Sequence, residues 1–329
     1  NIGSLLMRSG IPYDSDEGRA IAGALTSILT GRAYATSAEM AAAIGPVSRY
    51  WENRDQMLRV IRNHRRAAYD APSEEYEGLS HFVMAIDHTM APSPLVQAAR
   101  HAWDVALEAG EAHGYRNAQA TVLAPTGTIG LLMDCDTTGV EPDFALVKFK
   151  KLAGGGYFKI ANQSIAPALR RLGYLEDQID QIVRYVIGTM TLEGAPHINR
   201  ASLSEKGLPD EAIDKIEAAL PSVFDLRHAF NAFVLGEDVL EGIGITSDRY
   251  LAAGFDLLAS MGFSRNQVAE ANDVVCGRQT IEGAPELNDD HLPVFDTANK
   301  NGKNGKRFIY HTGHILSLIH ISEPTRLKT

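Results

Sequence analysis

The sequence predicts an α/β protein in which helices lead into one buried strand and a mostly helical part follows. The apolar spacing over Leu95–Glu108 is that of a helix, and it runs into Ala118–Ala124, which is apolar, partly β-branched and stops at Pro125. Beyond Ser164, helical patterns recur in an internal repeat. Hydrophobic residues make up 45% of the chain, which is typical of a globular protein with a sizeable core. A helix followed directly by a strand is consistent with a barrel whose strand ends carry the chemistry.

Composition narrows the classes of function. The net charge of −10 argues against broad nucleic-acid binding, which needs a basic face to neutralise phosphates. No run of 18 apolar residues occurs, so we expect no membrane span. The two cysteines, Cys135 and Cys276, are far apart and outside any C-x-x-C motif, so neither a disulfide framework nor a zinc site is expected. These features predict a location in a reducing cytoplasm.

The N-terminal third reads as a series of helices. Acidic and capping residues precede Ala20–Leu29, and Gly31 is the predicted end of that helix. Thr36–Glu39 has the pattern of a capping box, which predicts a second helix over Met40–Ile44 that stops at Gly45-Pro46.

Two longer helices follow. Arg54–Tyr69 carries several arginines, which indicate either an anion contact or, the reading we favour, a solvated helix face. Pro92-Ser93-Pro94 opens the helix Leu95–Glu108, whose alanines, leucines and Trp103 recur at helical spacing and predict a face packed on a core.

The turn after the predicted strand is the candidate functional site. Gly127 lets a ligand approach the backbone closely, and the hydroxyls of Thr126 and Thr128 can donate hydrogen bonds. If a helix begins near Ile129, its free N–H groups point to the same place. The turn holds no Lys or Arg, so it is not a Walker-type phosphate loop, and a turn without a ligand is the alternative.

The wider context of this turn carries a family resemblance. Arg116-Asn117-Ala118-Gln119 precedes the strand, A-P-T-G-T-I-G follows it, and Thr137-Thr138-Gly139-Val140-Glu141-Pro142 comes next. This context resembles the large, catalytic subunit of ribonucleotide reductases, most closely the adenosylcobalamin-dependent (class II) form, and the resemblance covers nearly the whole chain. It implies that residues 1–163 are part of the family's ten-stranded α/β barrel and that residues 164–315 are a mostly helical, duplicated insertion that returns to the barrel.

The resemblance also implies the roles of individual residues. The substrate phosphates are expected to bind at the turn Pro125, Thr126, Gly127, Thr128 and Ile129. The residues expected to support that turn are Thr138, Gly139, Glu141 and Pro142.

The family's radical chemistry implies further components. Its thiyl radical forms on a cysteine in an Asn-x-Cys-x-Glu setting, and neither Cys135 nor Cys276 lies in one. We therefore expect no catalytic residue in this chain and no activity of the chain alone. For the intact enzyme, the resemblance implies adenosylcobalamin as cofactor, a ribonucleotide, read as the diphosphate, as substrate and a thioredoxin-like reductant as partner; a homodimer is compatible with it.

Two other functions remain open. One is a reductase of the same family that takes its radical from a separate metal-containing subunit. The other is a non-catalytic nucleotide-binding or helical scaffold module, which the lack of a catalytic cysteine would favour.

The second half of the chain contains the internal repeat. Leu172–Pro196 and Met261–Pro285 align without a gap at an offset of 89 residues, and both end in E-G-A-P. Repeated helical units usually stack on one another, so we expect a packing module rather than a chemical site. His311 and His314 have the spacing of a metal pair, but no third ligand is evident, and we expect no metal.

The two ends suggest an internal fragment of a longer protein. The chain begins in an apolar segment without Met. Leu316–Arg326 resembles the conceptual translation of a sequencing adaptor, so we expect residues 316–329 not to be native.

Overall fold

A computed structural model of the chain describes residues 1–79, 83–151 and 157–322, and these residues are mostly helical. The helices of the first part are α1 (Ile2–Arg8), α2 (Asp16–Ile44), α3 (Arg54–Ala68), α4 (Ser93–His113) and α5 (Gly127–Leu132). The strands are β1 (Val147–Lys151) and β2 (Tyr157–Ala161). The later helices are α6 (Ile165–Arg171), α7 (Glu176–Ile187), α8 (Arg200–Glu205), α9 (Asp210–Ala219), α10 (Ala232–Leu235), α11 (Glu237–Gly242), α12 (Ser247–Tyr250), α13 (Leu257–Ser260), α14 (Arg265–Val275) and α15 (His311–Ser322). Short 3₁₀ turns cover Ser73–Glu75, Leu220–Ser222, Leu226–Ala229 and Asp289–Phe295.

The chain divides into two compact units. The first comprises residues 1–7, 11–142 and 309–329, and the second comprises residues 8–10 and 143–308. These limits differ from the predicted domain limits at 163/164 and 315/316, which were assigned by resemblance and stay a prediction.

The first unit is built on helices α2, α3 and α4. Trp103 on α4 is buried, and its indole N–H donates to Ser27 Oγ on α2 at 2.9 Å. Tyr115, also buried, packs edge-on against Tyr34 and donates to the Ala106 carbonyl at 2.8 Å. Buried alanines of both helices, among them Ala24, Ala35, Ala99 and Ala106, belong to the same core, and a Cβ atom at Gly31 of α2 would lie 2.9 Å from Ala102 Cβ of α4. The predicted core face is therefore confirmed at Ala99, Ala102, Trp103 and Ala106, whereas the helix is longer than the predicted Leu95–Glu108 and runs from Ser93 to His113.

Helix α2 corrects two predictions. Ser15 caps its start, accepting from the Gly18 N–H, but the helix does not stop at Gly31 and Thr36–Glu39 lies inside it. Gly31 faces α4, where a Cβ atom would lie 2.9 Å from Ala102 Cβ. This glycine serves close helix packing rather than termination, and packing overrides its low helix propensity. The predicted end at Gly45 is confirmed, with φ at 83°.

The predicted strand over Ala118–Ala124 is wrong for the described residues. Residues 119–126 form no ladder, and Val122 is 78% exposed. A strand exists only where a second strand supplies hydrogen bonds, and β1 and β2, the two strands that the structure describes, pair with each other. The predicted ten-stranded barrel is accordingly not seen in the described part of the chain.

The second unit combines a β-hairpin with the two repeat copies. Strands β1 and β2 are antiparallel, with Phe149 opposite Lys159. Helices α7 and α14 begin at positions 89 residues apart, Glu176 and Arg265, as the repeat predicts. Glycines with a positive φ occur at equivalent positions of the two copies. The equivalent pairs are Gly173 and Gly262, Gly188 and Gly277, and Gly194 and Gly283. The two copies therefore adopt the same backbone conformation.

Candidate functional site

The predicted turn is a sharp reversal followed by a short helix. Thr126 has a positive φ of 51°, which is uncommon for a residue with a side chain. Its carbonyl accepts from the Gly130 N–H at 2.6 Å, so Thr126 sits at the start of α5. The N–H groups of the first turn of a helix have no intrahelical acceptor, so those of residues 127–129 are available as donors.

The supporting segment holds this reversal in place. The Gly139 N–H donates to Thr126 Oγ1 at 2.9 Å. Gly139 has φ at 53°, and a Cβ atom there would lie 2.7 Å from the Ala124 carbonyl oxygen. Gly130 likewise faces the Thr138 methyl group, at 2.8 Å from a hypothetical Cβ. Two glycines thus allow residues 124–130 and 138–139 to pack in direct contact.

The N-terminal helix anchors the supporting segment from the other side. The Ile2 N–H donates to the Gly139 carbonyl at 3.1 Å, and the Ser4 N–H donates to Thr137 Oγ1 at 3.0 Å. Tyr13 donates to the Val140 carbonyl at 3.0 Å. A Cβ atom at Gly3 would lie 2.6 Å from the Glu141 carbonyl oxygen and 3.0 Å from Pro142 Cα, so α1 also packs directly on this segment.

The turn itself is open to solvent. Pro125, Gly127, Thr128 and Ile129 are exposed, and a Cβ atom at Gly127 would meet no other atom within 4 Å. The space beside Gly127 is therefore available to a ligand that approaches the backbone. The apolar residues around the turn are exposed as well, and Leu132 reaches 86%.

The charged side chains in the sequence around the turn are all negative. Residues 118–144 contain no Lys or Arg and four carboxylates, Asp134, Asp136, Glu141 and Asp143. The donors that this segment itself offers to an anion are therefore neutral, namely backbone N–H groups and threonine hydroxyls. Thr126 Oγ1 accepts from Gly139, and its own O–H proton still leaves it one bond to donate.

The arginine-rich helix α3 is paired with carboxylates rather than with solvent alone. Arg62 binds Glu77 through two bonds of 2.7 Å, Arg66 binds the same carboxylate at 2.7 Å, and Arg65 binds Asp104 at 2.6 Å. The hydrogen bonds from Arg62, with those from Arg66, lower the pKa of Glu77 to about 2.

The cysteines and the histidine pair show no catalytic arrangement. Cys276 is buried, and burial raises the pKa of its thiol to about 12, so it is a poor nucleophile. Cys135 is half-buried and accepts from the Asn1 side-chain amide at 3.0 Å. His314 lies 3.8 Å from Glu141, and the described residues contain no group of three or more potential metal ligands.

One cavity has no counterpart in the sequence predictions. It encloses about 650 Å³ between α2, α3 and residues 118–123, and its wall includes Tyr34, Gln56, Gln119 and His64. The His64 ring stacks on Trp103 at 4.6 Å, and burial lowers its pKa to about 4, so the imidazole is neutral at neutral pH. Because the lining comes from three separate segments, no local sequence pattern reveals it.

Among the described residues, none of the helices combines the length and the apolar composition that crossing a bilayer requires.

Comparison with known families identifies the class of protein. The family model described as "Ribonucleotide reductase, barrel domain" matches residues 1–204, which include the turn, its supporting segment and the β-hairpin. The chain belongs to the ribonucleotide reductase family.

Individual relatives refine the comparison. The chain is 58% identical over 317 residues to a protein of Agrobacterium fabrum named vitamin B12-dependent ribonucleotide reductase, covering 96% of this chain and 25% of that protein. A protein of the same name from Bradyrhizobium diazoefficiens is 56% identical, with the same coverage of 96% and 25%. A third, from Rhodopirellula baltica, is 49% identical over 227 residues, or 69% of this chain and 19% of that protein. The chain thus spans about a quarter of the length of the first two relatives.

Proposed function

We propose that this chain is part of a vitamin B12-dependent ribonucleotide reductase and that its turn Pro125–Ile129 binds the phosphates of the ribonucleotide substrate. The observation that carries the proposal is the open space at Gly127 beside a reversal that is fixed on its other side by Gly139. A rigid turn with free donors on one face suits a small anion. The names of the relatives favour the cobalamin class over a reductase with a separate radical-generating subunit.

The contribution of this turn to the reaction is positioning. A ligand held at its phosphates presents its ribose in a fixed orientation, and fixing two reacting groups relative to each other removes part of the entropic barrier. Thr138, Gly139, Glu141 and Pro142 act indirectly, by holding Thr126 in its left-handed conformation. Preference for the diphosphate is part of the proposal and follows from the resemblance alone.

The exposed apolar residues support a barrel in the intact enzyme. Val122, Leu132 and their neighbours leave an apolar surface of a kind that folded proteins usually cover. The backbone of residues 119–126 also forms no ladder. We propose that this segment becomes a barrel strand when it pairs with strands of the longer protein.

Adenosylcobalamin belongs to the proposal only for the intact enzyme. Bound, it would supply the radical. The described residues do not fit it: its cobalt comes already bound in the corrin ring, so what it needs from a protein is a large pocket, and the histidine that lines the 650 Å³ cavity is stacked on Trp103. We assign no cobalamin contact to a residue of this chain, and without an Asn-x-Cys-x-Glu loop the chain alone is proposed to be inactive.

A double substitution in the intact reductase tests the phosphate role. Thr126→Val with Thr128→Val removes two hydroxyl donors, and each hydrogen bond to a charged group contributes about 1.5–3 kcal/mol. We expect the Kd of the ribonucleotide to rise at least about tenfold in equilibrium binding measurements.

Two further variants separate binding from folding. Thr128→Val alone should weaken binding without lowering the melting temperature, since Thr128 is exposed, whereas Thr126 also accepts from Gly139. The matched control is Thr36→Val with Thr246→Val, two exposed threonines outside residues 118–142, and it should leave binding unchanged. Wild-type affinity in both the double variant and Thr128→Val would remove the role of the turn.

A further inference from the structure

The two repeat copies pair through reciprocal hydrogen bonds. The N–H groups of Thr189 and Met190 donate to the carbonyls of Val274 and Val275, at 2.9 and 3.0 Å. In the opposite direction, the N–H groups of Arg278 and Gln279 donate to the carbonyls of Tyr185 and Val186, both at 2.9 Å. Every donor and acceptor of one set lies 89 residues from its counterpart in the other. The copies are therefore related by a local twofold axis, and each completes the C-terminus of the other's helix.

Two glycines make this pairing possible. Gly188 and Gly277 are equivalent positions, with φ at 87° and 76°. A Cβ atom at Gly188 would collide with the backbone of Val275, Cys276 and Gly277, and one at Gly277 would collide with that of Val186, Ile187 and Gly188. The local axis passes between these glycines, where the two backbones touch.

One side chain from outside the repeat occupies this axis. The Lys159 ammonium, on strand β2, donates to the Ile187 carbonyl at 2.7 Å and to the Cys276 carbonyl at 2.9 Å. These two carbonyls are again 89 residues apart, so one lysine makes the same contact with both copies. It also lies 3.6 Å from Met190 Sδ.

Lys159 has no carboxylate partner among the described residues, so the two helix ends supply its electrostatic partner. A helix C-terminus carries a partial negative charge, and this charge stabilises a cation placed there. Burial lowers the pKa of Lys159 to about 8, which leaves the side chain mostly protonated at neutral pH. The ammonium thus lies where the ends of α7 and α14 converge.

We propose that Lys159 is a shared C-terminal cap that couples the β-hairpin to the paired repeats, so that the hairpin is firmly docked only while both copies are paired. The hairpin adds Phe149, opposite Lys159 in the ladder, which packs edge-on against Phe224 at 5.4 Å. Lys159 supplies the polar contact, and it can be made to both copies only if the pair is intact. The conformation of the β1–β2 hairpin is thereby coupled to the pairing of helices α7 and α14.

Hydrogen exchange of the full chain tests this coupling. Lys159→Met keeps the apolar stem and removes all N–H donors. We expect amides of the hairpin, of residues 185–190 and of residues 274–279 to exchange about tenfold faster, because a cation serving two helix ends is lost. Lys150→Met, at an exposed lysine of the same hairpin, is the matched control and should exchange like the wild type.

The symmetry of the response distinguishes a shared cap from an ordinary surface contact. Faster exchange at both helix ends and in the hairpin supports the proposal. Unchanged exchange in Lys159→Met, or faster exchange at one helix end alone, overturns it. If Lys159→Met does not fold, Lys159→Gln carries the test, since its amide retains neutral donors; an exchange rate equal to that of the wild type at both ends would then contradict the role of the charge.

Discussion

At the scale of single residues, the conformation of Thr126 determines how firmly the candidate phosphate turn is held. Its left-handed backbone is unfavourable for a β-branched residue and persists because Oγ1 accepts from Gly139 while its carbonyl accepts from Gly130. Thr126 therefore both supports the turn and can donate to a ligand. Thr128 is exposed and does not support the turn in this way. Its substitution therefore tests ligand binding without also changing the stability of the turn.

Glu77 gives a residue-scale prediction about pH. Its folded-state pKa of about 2 lies below the ordinary value of 4.5, because Arg62 and Arg66 bind the ionised carboxylate. A lowered folded pKa contributes stability that is present above pH 4.5 and is lost as the pH falls towards 2. We expect Glu77→Gln to lower the melting temperature at pH 6–7 and the difference from the wild type to shrink progressively below pH 4.5.

The control for this prediction is the neighbouring exposed carboxylate. Glu75→Gln should leave the melting curve unchanged over the same pH range, since Glu75 is exposed. A Glu77→Gln difference that stays constant from pH 6 to pH 3 would show that the ion pairs with Arg62 and Arg66 do not account for it.

At the scale of elements, packing decides where helices continue. Gly31 sits where α2 crosses α4, and Ala102 leaves room for a hydrogen atom but not for a methyl group. We expect Gly31→Ala to destabilise the chain by about 1–2 kcal/mol, because overpacking costs about 1–3 kcal/mol and exceeds the gain of up to about 1 kcal/mol in helix propensity. Urea denaturation measures this change.

A second helical glycine provides the comparison. Gly242, at the end of α11, has open space where a Cβ would be added, so Gly242→Ala should leave stability unchanged or raise it slightly. If urea denaturation gives Gly31→Ala the same free energy of unfolding as Gly242→Ala, the close contact between α2 and α4 does not explain the glycine at position 31.

The same comparison explains what the sequence could predict at this scale. Helix α4 was predictable because its buried residues follow one helical face, and the helices of the two repeats because their patterns match at an offset of 89 residues. The continuation of α2 through Gly31 was not, because the contact that favours it comes from a helix 62 residues further on. The twofold pairing of the repeats could not be predicted either, since it depends on hydrogen bonds between backbone groups that are distant in sequence.

The candidate site was predictable only in part for the same reason. Residues 125–129 form the open turn that their glycine and hydroxyl residues suggest, and Gly139 packs against them. The strand before the turn failed as a prediction because local pattern cannot show whether a partner strand is present. No local sequence pattern predicts the cavity beside His64.

At the scale of the whole molecule, the chain matches only part of the length of its relatives. It spans 25% of the length of the two relatives that match 96% of it, and its turn region leaves apolar residues such as Val122 and Leu132 exposed. The second unit shows a different organisation, in which duplicated helices cap each other and a hairpin lysine lies between them. Ligand binding is thus proposed for the first unit, and internal coupling for the second.

The most direct test of the phosphate-binding claim uses Gly127→Ala in the intact reductase. The added methyl group meets no protein atom within 4 Å, so the fold should tolerate it, and it would occupy the space assigned to the phosphates. Calorimetric titration should show ribonucleotide affinity reduced by about tenfold or more, with the affinity for the unphosphorylated nucleoside unchanged. Equal ribonucleotide affinity in the variant and the wild type, or an equal loss for nucleoside and nucleotide, would contradict the account.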